Sequence, residues 1–282
     1  MNVLQAILLG IVQGATEFIP VSSTAHMVLV MKIMQLESRL TPEQITATMA
    51  VVQLGTLVAV LLYFSRELLA IARSFLGRRH PGGGLFRDRR MATYMIVGTI
   101  PVAIVGIAFK PLIEGALTKN LVVIGASMVG VGLLLLLAEA TGTRRRGEAS
   151  LTALDAFVIG LAQVLALVPG SSRSGTTLMA ALFLGIKRET GARFSFLLSI
   201  PAIAASGLLE LVTLREGLAG VGWGSVIVAT IVAAVVGFAS IEFLLRFLRR
   251  HSTGVFVAYR VVVGGLILGL VAFRVLAPAS QF

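Results

Sequence analysis

Two polar stretches interrupt an otherwise apolar chain: QGATEFIPVSSTAH at 13–26 and LVPGSSRSGTT at 167–177. In the first, Gln13 and Glu17 are four residues apart, so one helical face carries both toward the break at Pro20. Ser22, Ser23 and Thr24 follow the proline and can cap the next helix. If that helix starts near Ser23, His26 lies one turn on, on nearly the same face. A serine and an imidazole within reach are the minimum for an activated nucleophile. A carboxylate such as Glu17, with Gln13 beside it, can hold a hard divalent cation against phosphate, or can orient His26. For Ser22 a cap and a catalytic role both stand open.

The second stretch opens an apolar helix with Gly170, Ser171, Ser172, Arg173, Ser174, Gly175 and Thr177. Free N–H groups and the positive dipole end at a helix start favour an anion. Ser171, Ser172, Ser174 and Thr177 add hydroxyl donors, glycines such as Gly170 permit close backbone approach, and the planar fork of Arg173 suits phosphate oxygens. The pattern reads as an oxyanion cradle, with phosphate the best fit. The competing reading is a plain helix cap with Arg173 ion-paired to Glu17.

The elements that position these residues belong to a membrane protein. The 282 residues are 57% hydrophobic and 13% charged, about half the charge of a soluble domain. Six segments are long enough to span: about 45–65, 91–109, 120–138, 194–214, 224–245 and 255–276. Segments 2–34 and 153–186 are different, each apolar at both ends and broken in the middle by the polar stretches. Their arms of about 12–15 residues reach ~20 Å, short of a ~30 Å hydrocarbon core. They read as re-entrant hairpins, tolerated where protein or a wet cavity surrounds the irregular backbone. The fold class expected is an all-α polytopic membrane protein, one membrane domain over 1–282.

Loop charge supports re-entry. With both hairpins re-entrant, loops 66–90, 139–152, 187–193 and 246–251 share one face and hold 16 Lys and Arg, against 6 on the other. With both crossing fully, the split is 12 to 10. The positive-inside rule prefers the first arrangement and puts both termini outside. Hairpin 1 then enters from the outer face and hairpin 2 from the cytoplasm, so their tips can meet. Gly10, Gln13 and Pro20-Val-Ser-Ser23 are echoed by Gly160, Gln163 and Pro169-Gly-Ser-Ser172, as an inverted-topology repeat predicts.

Other features read more plainly. The net charge of +11 lies mostly in loops, where it reports orientation and anionic headgroups, and no aromatic-interleaved basic tract points to nucleic acid. Cysteine is absent, which excludes disulfides and thiolate metal sites. No Lys or Arg precedes the first apolar run, so a cleavable signal peptide is not expected. The loop GRRHPGGGLFRDRR at 77–90 reads as a solvated connector, Gln53, Glu210 and Glu242 as bundle hydrogen bonds or interface residues, and Tyr259-Arg260 as a cytoplasmic anchor.

At its two polar stretches the chain resembles the undecaprenyl-diphosphate phosphatase family, also called the bacitracin-resistance family. The family signatures are a Glu/Gln-x-x-x-Glu segment running into Pro-Val-Ser-Ser-Thr-x-His, and Pro-Gly-x-Ser-Arg-Ser-x-x-Thr. Here they read Gln13 to His26 and Pro169 to Thr177, and FSFLLSIPA (194–202) and AYR (258–260) also look family-like. The resemblance implies a bacterial inner-membrane enzyme that hydrolyses the C55 lipid carrier diphosphate to the monophosphate and inorganic phosphate. It implies six spans and two re-entrant hairpins, a site open to the periplasm, a divalent cation (Mg2+ or Ca2+) and homodimers. Carried over by motif, the functional residues are Glu17, Ser23, His26, Ser172, Arg173, Ser174 and Thr177. The first acidic slot is Gln13 here, so a two-carboxylate metal site does not follow.

The expected mechanism has Arg173, the hairpin 2 amides, Ser172, Ser174 and Thr177 grip the diphosphate while Ser23 attacks and His26 takes its proton. His26 itself, or a water, is the alternative attacker. The rival from another class is a transporter or flippase for an anionic lipid, since inverted repeats and a mid-membrane anion site are transporter features too.

Overall fold

The computed structural model describes residues 1–76, 84–109, 120–213 and 220–277. Part of the basic 77–90 loop, Lys110, Lys119 and Arg215 lie outside the described residues. Within them the chain forms helices α1 (Val3–Phe18), α2 (Ser23–Ile33), α3 (Pro42–Tyr63), α4 (Ser65–Phe75), α5 (Arg89–Ala108) and α6 (Leu121–Thr141). Helices α7 (Ala153–Val164), α8 (Arg173–Phe183), α9 (Arg188–Thr213), α10 (Trp223–Arg250) and α11 (Gly254–Ala272) complete the bundle. By length and composition α3, α5, α6, α9, α10 and α11 can each cross a membrane, matching the six expected spans. Leu, Ile, Val and Phe dominate their exposed side chains, Ile104, Val235 and Leu266 among them, as a lipid-facing surface requires.

The two broken segments are helical hairpins. α1 has 16 residues and α2 has 11, and α7 and α8 have 12 and 11. At 1.5 Å per residue the longest arm is ~24 Å, too short to span. Each begins with a capping box that fixes its start. Asn2 accepts from the Gln5 N–H while Gln5 returns the bond, and Thr152 and Asp155 do the same. Arg146 fixes the foot of hairpin 2: it grips Asp155 at 2.8 and 2.6 Å and the Leu184 carbonyl at 3.1 Å, joining the beginning of α7 to the end of α8.

The hairpins are related by a constant offset of 150 residues. Asn2 maps to Thr152, α2 from Ser23 to Ile33 maps onto α8 from Arg173 to Phe183, and the caps Ser22 and Ser172 coincide. Both serines hold a positive φ, 78° and 69°, a conformation costly for a side-chain-bearing residue and present at the same place in each repeat. This corrects the pairing read from sequence. Past the break, Pro20 aligns with Gly170 rather than Pro169, and Ser23 aligns with Arg173 rather than Ser172.

The repeats interlock by exchange. Hairpin 1 packs through α1 on α10 of the second half, and hairpin 2 packs through α7 on α5 of the first; α3 packs on α9 and α6 on α11. The exchanged contacts are backbone-close. A Cβ at Gly10 would lie 2.4 Å from the Ala229 carbonyl oxygen, and one at Gly160 would lie 2.2 Å from that of Gly98. Small residues that let backbones approach are how membrane helices associate without a hydrophobic driving force. Gly160→Ala should therefore lower the thermal midpoint in detergent, by the equivalent of ~1–3 kcal/mol of overpacking. Gly130→Ala on α6, whose Cβ would meet nothing within 4 Å, should be neutral or mildly stabilising.

Candidate active site at the hairpin tips

The tips meet. α1 brings Glu17 to its last turn with only 7% of the residue exposed. Its two carboxylate oxygens are filled by four donors. Oε2 accepts from Gln13 Nε2 at 2.9 Å and Ser23 Oγ at 2.6 Å; Oε1 accepts from Gln53 Nε2 at 2.8 Å and Arg173 Nη2 at 2.5 Å. The last bond is an ion pair between hairpins, from the final turn of α1 to the first residue of α8. A second link runs from Ser174 Oγ to the Ile19 carbonyl at 3.2 Å. The Glu17–Arg173 pair offered by the plain-cap reading thus exists, but it uses one of the five N–H groups of the guanidinium. The others have no protein acceptor among the described residues and are free for an anion.

The hydroxyls divide into two kinds. Ser22 is buried and its Oγ accepts from the Ala25 N–H. Ser174 is buried against hairpin 1, and Thr177, fully buried, bonds the Arg173 carbonyl at 2.7 Å and Ser195. These three hold the tips in shape. Ser172 caps α8 through the Gly175 N–H at 3.2 Å while staying half-buried, as do Ser23 and Thr24. Gly170, at φ 90°, makes its close approach to the backbone of α6 at Ile124. The accessible set is therefore Ser23, Thr24, His26, Ser172 and Arg173.

His26 is held at both nitrogens, and neither holds Ser23. Nδ1 lies 2.6 Å from the Ser22 carbonyl, and Nε2 lies 2.6 Å from the Tyr259 hydroxyl, on which the ring also stacks. A carbonyl only accepts, so Nδ1 carries the proton; in the neutral ring Nε2 keeps its lone pair and accepts from Tyr259. The serine–imidazole bond expected from spacing is replaced here by a serine–carboxylate bond.

Two residues escaped the sequence reading, and a third was read without its partner. Gln53 is a bundle hydrogen bond as expected, but its acceptor is Glu17. Tyr259 and Arg260 are not a cytoplasmic anchor: Tyr259 faces His26, and Arg260 is fully buried. The available signal was depth, because Arg260 sits six residues inside α11, ~9 Å along it, too deep for a terminal snorkel.

The repeat is broken at the tips. Gln13 has Glu17 as its acceptor, whereas its counterpart Gln163 has Leu167 one turn on and, among the described residues, neither amide atom hydrogen-bonded. Hairpin 1 alone supplies the carboxylate and Ser23, and hairpin 2 alone supplies the guanidinium. Neither tip alone holds all three groups; the contact between the tips brings them together.

These features define a class: polytopic helical proteins in which two short helical hairpins meet at their tips and join a carboxylate–serine pair to an arginine. The profile described as "Bacitracin resistance protein BacA" matches residues 6–266, and the chain belongs to that family. It is 52% identical to the undecaprenyl-diphosphatase of Syntrophobacter fumaroxidans, covering 96% of this chain and 98% of that protein. The undecaprenyl-diphosphatases of Chlorobaculum tepidum and Myxococcus xanthus are each 44% identical. The first match covers 95% of this chain and 97% of that protein, the second 99% and 93%.

Proposed function

We propose that this protein hydrolyses undecaprenyl diphosphate to undecaprenyl phosphate and inorganic phosphate, returning the lipid carrier to cell-wall synthesis. Family membership and full-length relatives that carry the name undecaprenyl-diphosphatase support the reaction. The observation that carries the mechanism is the 2.6 Å bond from Ser23 Oγ to Glu17 Oε2, with the Arg173 fork beside it.

Glu17 takes the Ser23 proton as Oγ attacks the terminal phosphorus, and the bond to the bridging oxygen breaks with undecaprenyl phosphate as leaving group. Arg173 keeps Glu17 with one N–H and holds the transferring phosphoryl oxygens with the rest; Ser172 and Thr24 add donors. His26, once its Nε2 leaves the Tyr259 hydroxyl, is the base for the water that releases phosphate from Ser23. Positioning and charge neutralisation carry most of the catalysis, as phosphoryl transfer demands. A phosphoenzyme trap that labels neither Ser23 nor His26 assigns the attack to water. The transporter reading gains nothing from the site, because a carrier needs the arginine cradle but not a serine held by a carboxylate.

For the divalent cation, the donor set decides. Glu17 already accepts four hydrogen bonds, one from a cation, and Gln13 turns its amide nitrogen toward it. Glu17 and Gln13 therefore do not fit a resident metal centre. A divalent cation such as Mg2+ or Ca2+ would instead come with the diphosphate as part of the substrate, where it would neutralise phosphate charge. The site opens toward the periplasm with both termini on that face, which the loop charge supports, and the protein acts in the bacterial inner membrane as a homodimer, which the family resemblance supports.

The test is phosphate release from a polyprenyl diphosphate by the purified protein in detergent. Wild-type activity should vanish with chelator and return with Mg2+ or Ca2+. Ser23→Ala should fall by about 10³-fold or more with its thermal midpoint little changed. Ser23→Ala activity within a few-fold of wild type would remove Ser23 as nucleophile, and no release by the wild type would sink the function.

A further inference from the structure

Arg260 is a cation with 0% of its surface exposed and, among the described residues, no carboxylate partner. It is satisfied by five main-chain carbonyls. Nε donates to Met128 at 3.1 Å and Nη2 to Ser127 at 3.3 Å, both on α6. Nη1 donates to Pro20 at 3.3 Å, at the tip of hairpin 1. Nη2 also donates to Gly170 and Ser171 at 3.0 and 3.1 Å, at the tip of hairpin 2. One guanidinium thus touches both tips and a spanning helix. Burying such a charge without a counter-ion is expensive, and a residue kept there is a functional candidate by default.

We infer that Arg260 is a positioning residue for the proposed phosphatase reaction, fixing the separation of the two hairpin tips so that Ser23 and Glu17 of one face Arg173 of the other. The inference rests on that functional reading. Three observations support a positioning role over general stability. The carbonyls it binds, Pro20, Gly170 and Ser171, lie on the irregular backbone between the hairpin arms, where helical hydrogen bonds cannot satisfy them. All three lie one or two residues before the strained caps Ser22 and Ser172, whose positive φ needs outside restraint. And the preceding residue, Tyr259, holds His26, so one turn of α11 sets both the base and the tips. Because Arg173 is already neutralised by Glu17, Arg260 also leaves the tips with a net positive charge, suited to an anion.

The test uses the absence of cysteine. Ile11→Cys and Leu161→Cys place spin labels at matching exposed positions of α1 and α7, outside the group of residues that face the site. Inter-label distances are measured with Arg260 intact, as Arg260→Lys and as Arg260→Met, beside kcat, KM and thermal midpoint. The expected result is a broadened or displaced distance distribution in Arg260→Met, with kcat down by about 10²-fold or more from tip misalignment. Arg260→Lys, which keeps the charge but has three donors and no planar fork, should be intermediate in both. A folded Arg260→Met with the wild-type distribution and near wild-type kcat overturns the inference. A lowered midpoint with unchanged distances and kcat also overturns it, by showing stability alone. If Arg260→Met does not accumulate, Arg260→Lys decides: wild-type distances with more than half the activity overturn the role. The distance arm needs no turnover, so a labelled protein with intact Arg260 that releases no phosphate refutes the function and leaves the positioning claim to be judged by the distances.

Discussion

Glu17→Ala is expected to abolish phosphate release and to destabilise the protein at the same time. Removing the carboxylate strands Arg173, whose side chain is 18% exposed, and takes the acceptor from Gln13, Gln53 and Ser23. Breaking one side of a buried ion pair costs about 3–5 kcal/mol, a large share of a domain's ~5–15 kcal/mol. The thermal midpoint in detergent should fall clearly below that of Ser23→Ala, which removes one donor. The rate loss has a separate origin, the missing proton acceptor for Ser23, and general-base loss alone is worth about 10²–10⁴-fold. Glu17→Gln separates the two effects. It keeps the volume and one accepting oxygen, so it should regain part of the stability. Its NH2 group cannot take the Ser23 proton, so activity should stay near that of Glu17→Ala. Activity in Glu17→Gln within ten-fold of wild type would mean that Glu17 orients Ser23 without acting as its base.

What the sequence revealed follows from which interactions are local. The hairpins were legible because arm length and the polar breaks are set within about 30 residues. The six spans needed no tertiary information, since length and composition alone define them. The repeat was legible at Gly10 and Gln13 but misread by one residue past the break. There the serine pairs offer two alignments, and only the positive φ of Ser22 and Ser172 decides between them. The serine–histidine pairing failed for a geometric reason. Spacing of three on a helix puts two residues on one face, yet Ser23 bends back to α1 and His26 reaches its own cap carbonyl and α11. Arg260 was the hardest to see, since its five acceptors are main-chain atoms from three distant segments and carry no side-chain signature.

The second large effect is expected at Arg173. Arg173→Ala should lower kcat/KM by about 10³–10⁵-fold, the range for an arginine that stabilises a transferring phosphoryl group. Arg173→Lys tests whether charge or fork matters. The wild-type guanidinium lies in one plane and can meet the Glu17 carboxylate with one edge while presenting another to phosphate oxygens. An ammonium is a point charge that must divide itself between the two anions. Arg173→Lys should therefore keep most of the stability that pairing with Glu17 confers and still lose about 10²-fold or more in rate. Both variants retain Ser23 and its bond to Glu17, so a phosphoenzyme should form slowly rather than never, and trapping experiments should show it accumulate late. If Arg173→Lys turned over like wild type, the cradle would be electrostatic only, and the requirement for docking of the two tips would rest on Glu17 and Arg260 instead.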